Sequence, residues 1–277
     1  MHRLDIIDFL KTGKESKIID VRSPAEYSKG HIPGAVNIPI FSDLERAKVG
    51  TTYKQQSREE AISLGLEIVG PKLKDFAAMA KQEATNNELY VYCWRGGMRS
   101  AKMAWLFELV GINTSVLEGG YKSYRSQLLE VFKNVPHLVV LQGPTGSGKT
   151  EILKEMQELG VQVVDLEGIA HHKGSTFGGL GQGEQPTTQQ FQNDVYDAFL
   201  KLDLSAPIWV ESESATIGKV YLPETLWQLM NSAKIVSIEI PRPERIENIL
   251  RQYGDFPADV LSERVEQLAQ RLGGAAV

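Results

Sequence analysis

Residues 143–150 read Gly143-Pro144-Thr145-Gly146-Ser147-Gly148-Lys149-Thr150, with an apolar run at 138–141 before them and a helical pattern after them. A string of this spacing commits its surroundings to a strand, a tight glycine loop and a helix N-terminus. Glycines are needed because the backbone must come close to phosphate oxygens. Lys149 adds a point charge, and the Thr150 hydroxyl can ligate Mg2+. Gly143, Thr145, Gly146, Ser147, Gly148, Lys149 and Thr150 are therefore candidate phosphate-binding residues. Two further acidic positions end apolar runs in the same half: Asp165 after 161–164, and Glu211, with Glu213, after 208–210. Asp165 and Glu211 are candidate acidic partners of this cradle; the plainer reading of each is a capping or solvated carboxylate.

A second cradle lies about fifty residues earlier. The only cysteine, Cys93, sits in Tyr92-Cys93-Trp94-Arg95-Gly96-Gly97-Met98-Arg99-Ser100, directly after the apolar run 89–92. A free thiol ionises near about pH 8.5, so a working cysteine needs surroundings that favour the thiolate. Gly96 and Gly97 let the backbone curl with its N–H groups inward, and the following helix adds its N-terminal dipole. Arg95 and Arg99 supply side-chain cations. Cys93, Arg95 and Arg99 are thus candidate catalytic residues around an oxyanion, or around a sulfur or selenium atom carried on the thiol. The plainer reading, a buried structural cysteine, leaves the flanking glycines and arginines unexplained.

Strand and helix patterns alternate through both halves. Strands are expected at 17–21, 36–40, 89–93 and 115–117, and helices at 72–82, 100–110 and 121–132. Ser23 with Glu26 resembles a capping box. Residues 42–70 are polar and weakly periodic and are expected to be an insertion. After Pro136, strands are expected at 137–142, 161–166, 208–211 and 234–240. Helices are expected at 150–159, 188–202, 223–230, 244–252 and 257–272. Such alternation implies parallel sheets in two α/β domains, 1–134 and 135–277. The glycine-rich stretch 171–186 is long for a connection and is expected to be a functional loop. His171 and His172 are adjacent and cannot face one metal from regular structure, so their role stays open. Arg242 and Arg245 are placed to close over phosphates.

One cysteine excludes an intramolecular disulfide and a cysteine-based zinc site, and fits a reducing compartment. No apolar run approaches the roughly 20 residues that span a bilayer, and the N-terminus lacks a charged-then-apolar signal pattern. A cytoplasmic protein without a membrane partner is expected. The net charge of −5 argues against indiscriminate nucleic-acid binding, so an RNA partner needs a local basic face. Lys122, Arg125 and Lys133, with Arg95 and Arg99, are expected to form it.

Asp20-Val21-Arg22-Ser23-Pro24-Ala25-Glu26-Tyr27, then Gly30-His31-Ile32-Pro33-Gly34-Ala35-Val36-Asn37-Ile38-Pro39, resembles the rhodanese signature, and Glu118-Gly119-Gly120-Tyr121 resembles its closing segment. Asp20, Arg22 and Glu26 read as scaffold. A rhodanese-like α/β domain followed by a P-loop NTPase-like parallel-sheet α/β domain resembles the tRNA 2-selenouridine synthase family. The Cys93 string carries that likeness, together with Asp165-Leu166-Glu167-Gly168-Ile169-Ala170-His171-His172, Gly174-Ser175-Thr176-Phe177-Gly178 and Val210-Glu211-Ser212-Glu213-Ser214. Two departures stand out. Ala215 and Thr216 occupy positions where the family places basic residues. The family also extends past residues 273–277, so the second domain is expected to be either truncated or a shorter variant.

The resemblance implies a two-step reaction on wobble 2-thiouridine in the tRNA anticodon loop. Sulfur is alkylated by geranyl diphosphate, then displaced by selenium from selenophosphate. The phosphate cradle would hold the diphosphate, with Mg2+ on Thr150; no tightly bound cofactor is implied. Cys93 would carry selenium as a selenylsulfide, with Arg95 and Arg99 on the selenophosphate oxyanion, and a selenophosphate-supplying enzyme is an implied partner. Trp94 and Tyr121 would stack on the splayed base or pack the core. The competing readings are a sulfurtransferase fused to an ATP-dependent small-molecule kinase, and a thiol domain serving only for docking. An intact thiol loop argues against docking.

Overall fold

The computed structural model describes residues 1–13 and 16–272. The chain divides into two units, Met1–Leu128 and Leu129–Val277, a few residues ahead of the boundary expected near Pro136. The expectation attached to residues 273–277 lies outside the described residues.

The first unit runs β1 (His2–Leu4), α1 (Ile6–Thr12), β2 (Lys17–Asp20), α2 (Pro24–Lys29), β3 (Val36–Asn37), α3 (Asp43–Gln55), α4 (Arg58–Val69), α5 (Leu73–Glu83), β4 (Glu88–Tyr92), α6 (Met98–Leu109) and β5 (Asn113–Leu117). The helix α7 (Gly120–Val131) closes it. The sheet is parallel throughout, in the order β1-β5-β4-β2-β3. Central β4 buries Leu89, Tyr90, Val91 and Tyr92 consecutively, as a strand covered on both faces must. Ile19, Val91, Val116, Met103 and Phe107 belong to one core cluster, and Cys93 lies within it.

Residues 42–70, expected to be an irregular insertion, form the two helices α3 and α4. Their apolar periodicity is weak because they bury almost nothing: α3 buries no residue and α4 only Ala61. Caps define them instead. Ser42 and Glu45 form a reciprocal capping box, and Ser57 accepts from the Glu60 amide.

Asp20 and Arg22 are fully buried. The Arg22 Nε donates to both Asp20 oxygens at 3.0 and 2.9 Å, and Nη2 reaches the Gly30 carbonyl at 2.7 Å. The guanidinium lies 3.9 Å from the Tyr121 ring centroid. Removing one member leaves a buried charge without its partner. Asp20→Ala should destabilise the first unit by about 3–5 kcal/mol in urea unfolding. A loss below about 1 kcal/mol would show that the pair is dispensable.

The second unit runs β6 (Leu138–Gln142), α8 (Lys149–Glu158), β7 (Gln162–Val164), α9 (Leu166–Ala170), α10 (Thr188–Leu200), β8 (Ile208–Glu211), β9 (Thr216–Ile217), β10 (Val220–Tyr221), α11 (Glu224–Ser232), β11 (Lys234–Ser237), α12 (Arg242–Tyr253) and α13 (Ala258–Leu272). Its main sheet is again parallel, β11-β6-β8-β7, and β9 and β10 form a small antiparallel pair. In both units the candidate residues follow the carboxyl ends of sheet strands, where open α/β sheets place their ligands. No helix among the described residues is long and apolar enough to cross a membrane.

Candidate functional site

The thiol loop leaves β4 at Cys93 and enters α6 at Met98. Its shape depends on two glycines in the left-handed region, Gly96 (φ 62°) and Gly120 (φ 60°). A side chain on Gly96 would overlap the Leu117 carbonyl, and one on Gly120 the Cys93 carbonyl and the Gly96 amide. The Tyr121 and Lys122 amides then donate to the Cys93 and Trp94 carbonyls at 2.9 and 3.0 Å. The closing segment Glu118-Gly119-Gly120-Tyr121 is thus the clamp that fixes the loop. Gly120→Ala should cost about 1–2 kcal/mol for the left-handed backbone, and more for the overlap. Gly34→Ala (φ 78°) carries the first cost alone, since nothing lies within 4 Å of its added carbon. Melting temperatures should therefore fall further for Gly120→Ala; equal losses would refute the clamp.

Cys93 is only 3% exposed, and its Sγ lies 3.2 Å from the Ser100 Oγ. No side chain caps the N-terminus of α6 at Gly97, so its first amides remain available to an anion. Arg95 is exposed in the loop. Arg99 is differently placed from a free anion ligand: Nη1 donates to Glu26 Oε2 at 2.8 Å, and Arg46 reaches the same carboxylate at 3.6 Å. Burial pushes the Glu26 carboxyl up, but Arg99 outweighs it and holds the group below the usual range. Glu26 also completes the capping box of α2 with Ser23, so the helix start orients Arg99. Tyr121 is fully buried among Arg22, Tyr92 and Tyr124 and cannot stack on a base. Trp94, 37% exposed, is free to do so.

The phosphate loop joins β6 to α8. Gly146 (φ 80°) and Gly148 (φ 79°) take left-handed backbone, and α8 starts without a side-chain cap. Lys149 Nζ donates to the Gly143 carbonyl at 2.8 Å, and Asn248 of α12 donates to the Gly146 carbonyl at 2.9 Å. Gly143, Thr145, Gly146, Ser147, Gly148, Lys149 and Thr150 all line one cavity of about 850 Å3.

Of the three acidic candidates, Glu213 lines the cavity and the other two do not. Asp165 caps α9, accepting from the Gly168 amide at 2.7 Å, and does not line the cavity. Glu211 is buried and accepts from the Glu167 amide at 2.6 Å. Beside Glu213 stands Glu167, which lines the same cavity, accepts from the Thr150 hydroxyl at 3.3 Å and faces Glu213. Periodicity did not single out Glu167, because the helix that turns it inward is a single short turn started by the Asp165 cap. Burial pushes Glu167 up and Glu211 well up. Glu213 rises to about 8, through burial and then the hydrogen bond and charge of Glu167.

A raised carboxyl keeps a proton in the fold that the unfolded chain releases. Stability should therefore fall as pH rises from about 4.5 towards 8, by at most about 1.4 kcal/mol per pH unit for one proton. Glu213→Gln should flatten the pH dependence of thermal unfolding over that window; an unchanged slope would contradict the raised Glu213 carboxyl.

His171 ends α9 in left-handed backbone (φ 51°), with Nδ1 2.9 Å from the Glu184 carbonyl. His172 is half-buried, and burial lowers its pKa. His171 thus fastens the glycine-rich loop, whereas the His172 Nδ1 is buried without a hydrogen-bond partner, and no group of three or more metal-binding His, Cys, Asp or Glu side chains occurs among the described residues. Arg242 and Arg245 do not line the cavity; Arg251 and Lys173 do.

Residues 5–127 match the model of the rhodanese-like domain, and residues 136–275 match that of the tRNA 2-selenouridine synthase AAA domain. A tRNA 2-selenouridine synthase of Nitrosomonas europaea is 40% identical over 86% of this chain and 64% of its own length. Those of Shewanella woodyi and Bordetella bronchiseptica are 38% and 39% identical, each over 94% of this chain, and over 70% and 76% of their own lengths. The chain thus spans about two thirds to three quarters of the relatives it matches.

Proposed function

The chain belongs to the tRNA 2-selenouridine synthase family, and from that premise we propose that it converts wobble 2-thiouridine of tRNA into 2-selenouridine through an S-geranyl intermediate. The observation that carries the reading is the presence of two anion cradles of different chemistry: a thiol loop after β4 and a phosphate cavity after β6.

In the first step the thiocarbonyl sulfur attacks C1 of geranyl diphosphate. The C–O bond breaks, its electron pair leaves with diphosphate, and the base loses its N3 proton. Lys149, the uncapped amides of α8 and the glycine loop stabilise the charge that develops on the leaving diphosphate. Thr150 and the carboxylates Glu167 and Glu213 are hard oxygen donors that fit Mg2+, which commonly takes one or two carboxylates together with substrate phosphates. When bound, the ion would neutralise part of the diphosphate charge.

Alkylation turns the sulfur into a group that can depart as a neutral thiol. In the second step the selenium of selenophosphate attacks C2, the C–S bond breaks and geranyl thiol leaves with a proton. The Cys93 thiolate then takes the phosphoryl group from selenium, and water releases it as phosphate, leaving 2-selenouridine. Arg95, the amides at the start of α6, and Arg99 from its ion pair with Glu26 hold the selenophosphate oxyanion. Trp94 offers the exposed aromatic face for the splayed base.

The test is incubation of an anticodon stem-loop containing 2-thiouridine with geranyl diphosphate and selenophosphate, followed by mass analysis of the nucleosides. Omitting selenophosphate should stop the reaction at S-geranyl-2-thiouridine; omitting geranyl diphosphate should leave 2-thiouridine unchanged. Turnover of ATP on a small metabolite, without nucleoside conversion, would instead favour a kinase.

A further inference from the structure

The alkylation read above brings two anions to one place, the departing diphosphate and the RNA strand that carries the base. A single phosphate loop serves only the first. The same cavity is also lined by Lys173, from the glycine-rich loop, and by Arg251 of α12. Its volume of about 850 Å3 leaves room beyond a diphosphate.

Lys173 is held in place by its surroundings. Its ammonium lies 5.6 Å from the Tyr253 ring centroid, and Phe177 packs on that ring at 5.7 Å. Gly181 (φ 70°) brings the loop against Phe256, where a side chain would collide. Neither Lys173 nor Arg251 is in an ion pair among the described residues, although Glu151, Glu167 and Glu213 line the same cavity. Of the basic residues expected to meet RNA, Arg95 and Lys122 are exposed, and the other three are more heavily engaged. Arg99 is bound to Glu26, Lys133 pairs with Glu130 at 2.7 Å, and Arg125 is half-buried, its guanidinium pKa pushed down by that burial.

We propose that Lys173 and Arg251 hold a backbone phosphate of the RNA strand at the phosphate cavity, leaving Lys149 and the glycine loop to the diphosphate. Arg251 supplies the planar fork that meets a phosphate through two N–H groups, and Lys173 a point charge. Such contacts position the strand without reading its sequence. The assignment rests on the reading that this cavity holds an allylic diphosphate while the base reacts.

The test compares Lys173→Gln, Arg251→Gln and Arg251→Glu with wild-type protein. Affinity for a 2-thiouridine anticodon stem-loop is measured across salt concentrations, and affinity for geranyl diphosphate in parallel. Each neutral variant should weaken stem-loop binding about tenfold and reduce the slope of log K against log salt by about 0.7. The charge reversal should weaken it further, while geranyl diphosphate binds within about twofold of wild type. Unchanged stem-loop affinity would overturn the proposal, as would equal losses for both ligands, which would assign the pair to the diphosphate. Wild-type protein that binds the stem-loop but not geranyl diphosphate would sink the prenyl reading, and the stem-loop arm would still decide the role of the two cations.

Discussion

Selenium incorporation should fall by at least about three orders of magnitude in Cys93→Ser, while geranyl transfer to the same stem-loop stays within about twofold of wild type. Serine is slightly smaller and keeps a hydrogen-bonding group facing Ser100, but it is a far weaker nucleophile at neutral pH. The loop itself should survive. Its backbone is set by Gly96 and Gly120 and by the amides of Tyr121 and Lys122, none of which depends on the sulfur. Nucleoside mass analysis with selenophosphate present should therefore show S-geranyl-2-thiouridine accumulating. Loss of both activities in a variant with a wild-type melting temperature would remove the division of labour between the two cradles.

Lys149→Ala should have the opposite effect. Geranyl transfer should drop by about 100- to 1000-fold, the range seen when one charge-stabilising donor is taken from a developing anion. Selenium exchange on stem-loop already carrying the geranyl group should remain near the wild-type rate. Among the described residues the Lys149 side chain hydrogen-bonds to the Gly143 carbonyl of its own loop and otherwise acts through its charge on Glu167 and Glu213, so its removal should leave the fold intact. Retained geranyl transfer would show that the cavity does not hold the diphosphate.

Much of this arrangement is legible from residue order. The string at 143–150 demands a strand before it and a helix after it, and β6 and α8 supply them. Val91 and Tyr92 announce a strand covered on both faces, ending at the thiol. What is not legible is what depends on contacts distant in sequence. Asp165 looks like an acidic partner of the phosphate loop, yet the amide three residues on is its nearer ligand, and that cap swings Glu167 towards Thr150 instead. Arg99 reads as a free cation until Glu26, far away in sequence, is placed beside it. Helices α3 and α4 elude apolar periodicity because they bury so little; their only sequence mark is the serine caps. Trp94 and Tyr121 look alike as aromatic candidates, and only packing separates the exposed one from the buried one.

The most direct measurement supplies the second step alone. Stem-loop carrying S-geranyl-2-thiouridine, made with the Cys93→Ser protein and purified, is given to wild-type enzyme with selenophosphate and no geranyl diphosphate. Conversion to 2-selenouridine with release of geranyl thiol is the predicted result, together with no conversion by Cys93→Ser and near-normal conversion by Lys149→Ala. Geranylated RNA that persists unchanged, or converts only when fresh geranyl diphosphate is added, would contradict two cradles acting in succession on one base.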